Sequence, residues 1–161
     1  MEKHELNEPK TRILIVDDHV ELRDMLREAM DISGYDCLTA GNGREALECL
    51  AVHTVDVVLT DIKMPEMNGL ELTEHIKRKY DVGVIVMTGY TDDFSYEDII
   101  TKGASDFMVK PVAIPELTLR IKRVARERAL LKERNHAMEK LRESEQRYQE
   151  LSITDGLTKL F

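Results

Sequence analysis

Short apolar segments alternate with stretches of helical periodicity along the first 115 residues of the chain. Each of the five segments spans five or six residues, and those at 12–16, 55–59 and 82–87 are rich in Val, Ile and Leu. Between them, apolar residues recur three or four positions apart, which is typical of helices packed on one face. Strands joined by helices form parallel sheets, and a strand buried on both faces is apolar throughout. The pattern therefore predicts an α/β domain whose five-stranded parallel sheet is covered by helices on both faces.

The predicted elements follow one another with short connections. The predicted strands are residues 12–16, 35–39, 55–59, 82–87 and 105–109. The predicted helices between them are residues 20–32, 44–51, 69–79 and 92–102. Sheets of this kind bind ligands beyond the carboxyl ends of their strands, so functional side chains are expected there.

The composition excludes several classes of protein. Hydrophobic residues make up 42% of the 161 residues, too many for a fully disordered chain. No apolar run approaches the roughly 20 residues that cross a bilayer, and residues 1–10 lack the apolar core of a secretory signal. The two cysteines, Cys37 and Cys49, form no CxxC pair, and we interpret them as reduced thiols. We therefore expect a cytoplasmic protein with no membrane partner.

The charge balance changes near Pro115. Residues up to this point carry 12 basic and 23 acidic side chains, and they include all four prolines. Residues 116–151 carry 10 basic and 7 acidic side chains and contain neither proline nor glycine. This change predicts four regions, namely a flexible N-terminus at 1–10, a globular domain at 11–115, a helical linker at 116–151 and a separate segment at 152–161.

Polar residues follow four of the predicted strands. Asp17 and Asp18 follow the first strand, Asp61 the third, Thr88 the fourth and Lys110 the fifth. Two carboxylates about 4 Å apart repel by roughly 4 kcal/mol at an effective dielectric near 20, and a divalent cation offsets that repulsion. Oxygen ligands favour Mg²⁺. Helix capping alone would explain one aspartate of the first pair, but not a lysine and a threonine at the same edge, so we predict a Mg²⁺ site.

These residues lie in motifs that resemble the receiver domain of two-component response regulators. The resemblance covers most of the first 115 residues and implies a flavodoxin-like, doubly wound sheet with strand order 2-1-3-4-5. Its motifs are the acidic pair at 17–18, DIKMPEMNG at 61–69, MTG at 87–89 and GASDFMVKP at 103–111.

The resemblance also implies the role of each acidic residue. Asp61 is expected to accept a phosphoryl group from a cognate histidine kinase. Asp17, Asp18 and Asp61 are expected to hold Mg²⁺ together with the backbone carbonyl of Lys63. His19, next to the acidic pair, is interpreted as an exposed residue that opens the first helix.

Three further residues receive roles from the resemblance. Thr88 is expected to bond the phosphoryl group, Lys110 to pair with it, and Phe107 to act as the switch aromatic. An ordinary core position is the alternative for Phe107, because phenylalanine lacks the hydroxyl of the tyrosine found in the family. A cis peptide bond is expected between Lys110 and Pro111.

The predicted linker helix carries an apolar stripe with alternating spacings of four and three residues. Arg128 and Asn135 interrupt it, and its phase shifts by about three residues after Met138. This spacing predicts a parallel coiled-coil homodimer, in which Asn135 helps to set the register. A net charge of only +3 with interleaved acids argues against nucleic-acid binding. The predicted seam residues are Leu117, Ile121, Val124, Leu131, Asn135, Met138, Leu141 and Tyr148.

The last ten residues, SITDGLTKLF, resemble the opening of a GGDEF domain, the diguanylate cyclase module. The residues that carry the resemblance are Asp155, Leu157, Thr158 and Leu160. It implies a truncated output domain that makes cyclic di-GMP in the parent chain, while this fragment catalyses nothing beyond its own phosphorylation and dephosphorylation. A stand-alone interaction protein remains an alternative. So does a sensor or kinase domain after the linker, because residues 143–151 also resemble segments that lead into such domains.

Overall fold

A computed structural model describes residues 9–89 and 93–158, with side chains up to residue 152. The five strands form one parallel sheet in the order β2-β1-β3-β4-β5, as the resemblance implied. The predicted flexible N-terminus falls mostly on residues outside the described part of the chain. The strands are β1 (Arg12–Val16), β2 (Asp36–Ala40), β3 (Val57–Asp61), β4 (Gly83–Thr88) and β5 (Asp106–Val109).

Five helices follow the strands in alternation. The structure confirms the predicted bounds of the first and third helices, and the second differs by one residue at each end. The fourth is shorter than predicted because Ser95 caps it in a capping box with Asp98, and the predicted start at Asp92 lies outside the described residues. The helices are α1 (Val20–Ile32), α2 (Gly43–Val52), α3 (Gly69–Lys79), α4 (Tyr96–Thr101) and α5 (Ile114–Thr158).

The sheet separates two hydrophobic layers, because successive strand residues point to opposite faces. On one face, Leu14 and Val58 pack with α2 and α3 through residues such as Leu50. On the other face, Ile13 and Leu59 pack with α1 and with the first turns of α5. The doubly wound architecture predicted from the alternating pattern is confirmed.

The first turns of α5 belong to the core of the domain. Leu117, Ile121 and Val124 are at most 1% exposed and pack against the sheet beside α1. The prediction that these three residues form part of the dimer seam is therefore wrong. The chain divides into two compact units between Ala125 and Arg126, beyond the boundary predicted at Pro115. Spacings of four and three residues suit a helix on a sheet as well as a coiled coil, which explains the error.

Ion pairs attach the start of α5 to β5. The Arg120 guanidinium donates to both carboxylate oxygens of Asp106 at 2.9 Å, and Arg123 also bonds Asp106. Glu116 accepts from Arg120 one helical turn away at 2.8 Å. The Asp106 side chain is nearly buried, so these bonds compensate the desolvation of its charge. Among the described residues, no helix is long and apolar enough to cross a membrane.

Candidate functional site

The carboxyl ends of β1, β3, β4 and β5 bring the predicted site residues to one edge of the sheet. Asp17 directly follows β1, while Asp61 and Thr88 are the last residues of β3 and β4. The Lys110 backbone N–H donates to the Thr88 carbonyl at 2.7 Å and so holds the end of β5 beside β4. The expected convergence of these strand ends is confirmed.

The side chains at this edge form an acidic pocket with one lysine. Lys110 Nζ lies 3.0 Å from Asp61 Oδ2 and 3.8 Å from Asp17 Oδ2. Asp17 is fully buried and Asp61 is 4% exposed, whereas Asp18 is half-buried. One potential ligand atom from each of Asp17, Asp18, His19 and Asp61 lies within 4.8 Å of the others. The pocket therefore concentrates three carboxylates around a single ammonium group.

Two carboxylate oxygens in this pocket fit a hard cation. Asp17 Oδ2 and Asp18 Oδ1 are buried and have no hydrogen-bond partner among the described residues. Leaving such atoms unsatisfied costs about 1–3 kcal/mol each, and more when they are charged. A divalent cation bound by Asp17, Asp18 and Asp61 would satisfy them, and an all-oxygen donor set suits Mg²⁺. The Lys63 carbonyl stays a prediction as a further ligand.

His19 lies at the rim of the acidic pocket. Its side chain is 70% exposed, in agreement with the interpretation from sequence. However, its Nδ1 is 3.2 Å from Asp17 Oδ1 and 3.2 Å from Asp18 Oδ1. Its backbone N–H also donates to Asp17 Oδ1 at 2.9 Å. His19 thus helps to fix the Asp17 carboxylate, a contact that sequence reasoning missed.

The environment of Asp61 shifts its protonation equilibrium towards the neutral form when no cation is bound. Burial is the largest cause that raises the pKa of Asp61, and the negative charge of Asp17 adds to it. The Lys110 ammonium opposes this shift but does not cancel it, so the pKa remains above its usual value. Ionisation of the Asp61 carboxyl group is therefore less favourable in this pocket than in water.

We expect Asp61→Asn to raise the free energy of unfolding by about 1 kcal/mol at pH 7 without divalent cations. Since the folded-state pKa of Asp61 exceeds the unfolded value, ionisation of this group reduces stability above the folded pKa. The gain should shrink as the pH falls through the folded pKa and vanish below about 4, the unfolded value. Urea unfolding across this pH range measures the effect.

The exposed Asp24 on α1 supplies the matched control for that experiment, because Asp24→Asn makes the same chemical change at the surface. It should leave the stability unchanged at both ends of the pH range. A lower stability of Asp61→Asn at pH 7, or a gain that persists undiminished at acid pH, would contradict the electrostatic description of the pocket.

Gly69 allows α3 to begin directly against the end of β3. A Cβ atom at this position would lie 2.1 Å from the Asp61 carbonyl oxygen and 3.0 Å from Ile62 Cα. The Gly69 N–H donates to the Ile62 carbonyl at 2.8 Å, and the Asn68 side chain caps the helix. The sequence motif that contains Gly69 does not indicate why a glycine is needed there. The structure shows the reason, since only a residue without a Cβ atom allows the two backbones to approach so closely.

Thr88 and Phe107 lie beside the pocket, on neighbouring strands. Thr88 Oγ1 donates to the Gly89 carbonyl at 3.3 Å, a weak bond that a better acceptor could replace. Phe107 is half-buried and packs edge to face on Tyr96, with ring centroids 5.2 Å apart. The peptide bond before Pro111 is cis, as expected. The switching roles of Thr88 and Phe107 stay predictions.

The comparison with known families agrees with this geometry. A sequence model described as the response regulator receiver domain matches residues 13–122. The chain belongs to the response regulator receiver family. Receiver domains act in two-component signalling, in which they interact with histidine kinases, and they bind Mg²⁺ at the acidic pocket described above. The match extends into α5, in agreement with the burial of its first turns.

The chain also resembles curated receiver-containing proteins. It is 37% identical over 120 residues to the transcriptional regulatory protein AruR of Pseudomonas aeruginosa. This alignment covers 71% of the chain and 49% of AruR. It is 39% identical over 126 residues to the regulatory protein AtoC of Escherichia coli. This alignment covers 78% of the chain and 27% of AtoC. The chain thus spans half or less of the length of these relatives.

Solved structures show the same fold. A receiver domain protein from Clostridium thermocellum matches with a TM-score of 0.70 at 28% identity, covering 75% of this chain and 98% of that one. NtrX from Brucella abortus, solved with ADP, matches with a TM-score of 0.73 at 27% identity, covering 78% of this chain and 29% of NtrX.

Proposed function

We propose that Asp61 accepts a phosphoryl group from a cognate histidine kinase and thereby switches the receiver domain. The observation that carries this proposal is the Lys110 ammonium 3.0 Å from Asp61 Oδ2, in a pocket where two buried carboxylate oxygens accept no hydrogen bond from the described residues. This pocket supplies a nucleophile, a cation for the phosphoryl oxygens and ligands for Mg²⁺. Asp17 and Asp18 are too close to Asp61 for three free carboxylates to coexist at low cost.

The reaction transfers the phosphoryl group from nitrogen to oxygen. A carboxylate oxygen of Asp61 forms the new P–O bond while the P–N bond of the donor phosphohistidine breaks, and the imidazole leaves with that electron pair. Such transfers depend on positioning and charge neutralisation. Lys110 neutralises charge on the phosphoryl oxygens. Asp17 and Asp18 would hold a Mg²⁺ ion, which would supply further neutralisation.

The switch follows from the charge of the product. A phosphorylated aspartate has additional acceptor oxygens and about two negative charges. The Thr88 hydroxyl would exchange its weak bond to the Gly89 carbonyl for one of these oxygens. Its movement would open space for the half-buried Phe107, whose ring would then leave its contact with Tyr96. The change would reach β5 and, through Asp106 and its arginines, the start of α5.

The proposed output is dimerisation through α5 coupled to a diguanylate cyclase domain that makes cyclic di-GMP. The support is the likeness of Asp155, Leu157, Thr158 and Leu160 to a GGDEF opening, although Leu160 lies outside the described residues. A DNA-binding output is a second candidate, since several relatives are named transcriptional regulators. The coding sequence downstream of Phe161 decides between them: a GG[D/E]EF element supports the first, and a helix-turn-helix motif or a stop codon excludes it.

Phosphorylation by acetyl phosphate tests the receiver function. We expect intact-mass measurement to find one phosphoryl group per chain in the presence of Mg²⁺ and none when EDTA is present. Asp18→Asn should shift the Mg²⁺ dependence to at least about tenfold higher concentrations, because it removes one ligand. Asp24→Asn on α1 should behave as the wild type. Full phosphorylation in EDTA would contradict the proposed Mg²⁺ pocket.

A further inference from the structure

The second compact unit of the chain carries large apolar side chains on the exposed surface of α5. Every described side chain from Ala129 to Ser152 is exposed. These residues nevertheless include several large apolar side chains, and Leu130, Leu141, Tyr148 and Leu151 are between 57% and 76% exposed. An isolated helix of this kind is marginal in water unless another surface covers its apolar side. The pattern of the exposed residues identifies that surface.

The seam predicted from sequence loses its first part to the core, and it reaches Leu141 and Tyr148 only through a shift of phase after Met138. Its first three residues, Leu117, Ile121 and Val124, are buried in the receiver domain. Continuing the same spacing from Leu131 and Asn135 past Met138 brings Arg142 and then Glu145 onto the seam. Two charged residues in succession would end a hydrophobic contact there, so this register accounts for less than two heptads.

A neighbouring stripe runs through the whole exposed segment without a change of phase. Its positions are separated by alternating steps of four and three residues, and it needs none of the core residues. Leucine, alanine, serine and tyrosine occupy all positions but one, and an arginine occupies the remaining one. The stripe consists of Leu130, Arg134, Ala137, Leu141, Ser144, Tyr148 and Leu151.

We propose that this second stripe is the contact surface for a second copy of the chain, arranged as a parallel coiled coil. The inference rests on the dimeric output proposed above and defines its register. Leu131 and Met138 then flank the seam, and Asn135 lies outside it. In a parallel pair this register places Lys140 of one copy opposite Glu145 of the other, an attractive pair at the edge of the seam. Small side chains at Ala137 and Ser144 allow close approach of the helices.

Cysteine cross-linking of the full 161-residue chain distinguishes the two registers. Cys37 is buried and Cys49 half-buried, so Cys49→Ser provides the background. Ala137→Cys and Ser144→Cys place thiols in the proposed seam. Asn135→Cys and Arg142→Cys place them in the alternative register that continues the spacing of Leu131 and Met138 without a phase shift. Under oxidised glutathione, we expect disulfide-linked dimers to form at least tenfold faster at 137 and 144 than at 135 and 142. The rates are read on non-reducing gels.

Each outcome has a distinct meaning when sedimentation equilibrium accompanies the cross-linking. Equal rates at the four positions, or faster rates at 135 and 142, in a dimeric protein would overturn the register and leave the dimeric output intact. A monomer that fails to cross-link at every position, with and without phosphorylation, would overturn both. Leu141→Lys should weaken dimerisation, whereas Gln146→Lys, on the opposite face, should not.

Discussion

Replacing Gly69 by alanine should lower the free energy of unfolding by about 3 kcal/mol, at the upper end of overpacking costs. The added methyl group would lie 2.1 Å from the backbone oxygen of Asp61, and neither backbone can move without breaking the bond between Gly69 and Ile62. Because the displaced residue is the proposed phosphoacceptor, the variant should also lose phosphorylation. Urea unfolding and phosphorylation by acetyl phosphate measure the two effects.

The chain contains a matched control for this substitution. Gly43 is also the first residue of a helix, and it also follows an asparagine cap, Asn42. A Cβ atom there would contact the flexible side chain of Met67 and no backbone atom within 3.0 Å. Gly43→Ala should therefore cost less than about 1 kcal/mol. If both variants lose a similar free energy of unfolding, the loss comes from replacing a glycine at the start of a helix and not from the close approach to Asp61.

Lys110→Ala should slow phosphorylation by acetyl phosphate about 10²–10³-fold, the usual cost of removing one group that stabilises developing charge. The substitution takes away the ammonium 3.0 Å from Asp61 and so removes the lysine contact of the carboxylate pocket. It should also raise the pKa of Asp61 further, because Lys110 is the largest of the influences that lower it. The time course of the intact mass at saturating Mg²⁺ measures the rate.

Lys102→Ala is the control for the loss of a lysine. Lys102 bonds Glu74 at 2.7 Å on the surface between α3 and α4, so its removal should leave the rate within about twofold of wild type, since surface ion pairs contribute little. If Lys110→Ala is phosphorylated as fast as Lys102→Ala, Lys110 does not contribute to phosphoryl transfer.

The strands and the acidic pocket could be predicted because they follow from local patterns in the sequence. Apolar runs define β1, β3 and β4, and a polar residue after each run marks the strand end. Because parallel strands place these ends together, Asp17, Asp61 and Lys110 could be assigned to one pocket before any distance was known. The motifs around them then specified the family and the strand order.

The remaining features depend on contacts between distant residues. The ion pair of Asp106 with Arg120 joins residues on different elements, and no local pattern predicts it. The periodicity of α5 indicates an apolar face but does not say whether a sheet or a second helix covers it, so Leu117 was assigned to the wrong partner. His19 has an exposed ring whose contact with two carboxylates depends on rotamers that sequence does not specify.

Reductive labelling locates the phosphorylated residue directly. The chain is treated with acetyl phosphate and Mg²⁺ and then with borohydride, which reduces an aspartyl phosphate to homoserine with release of phosphate. Peptide mass spectrometry then locates the homoserine. The account predicts homoserine at position 61 in the wild type and at no position in Asp61→Asn. Homoserine at Asp17 or Asp18 of the wild type, or labelling that persists in Asp61→Asn, would contradict it.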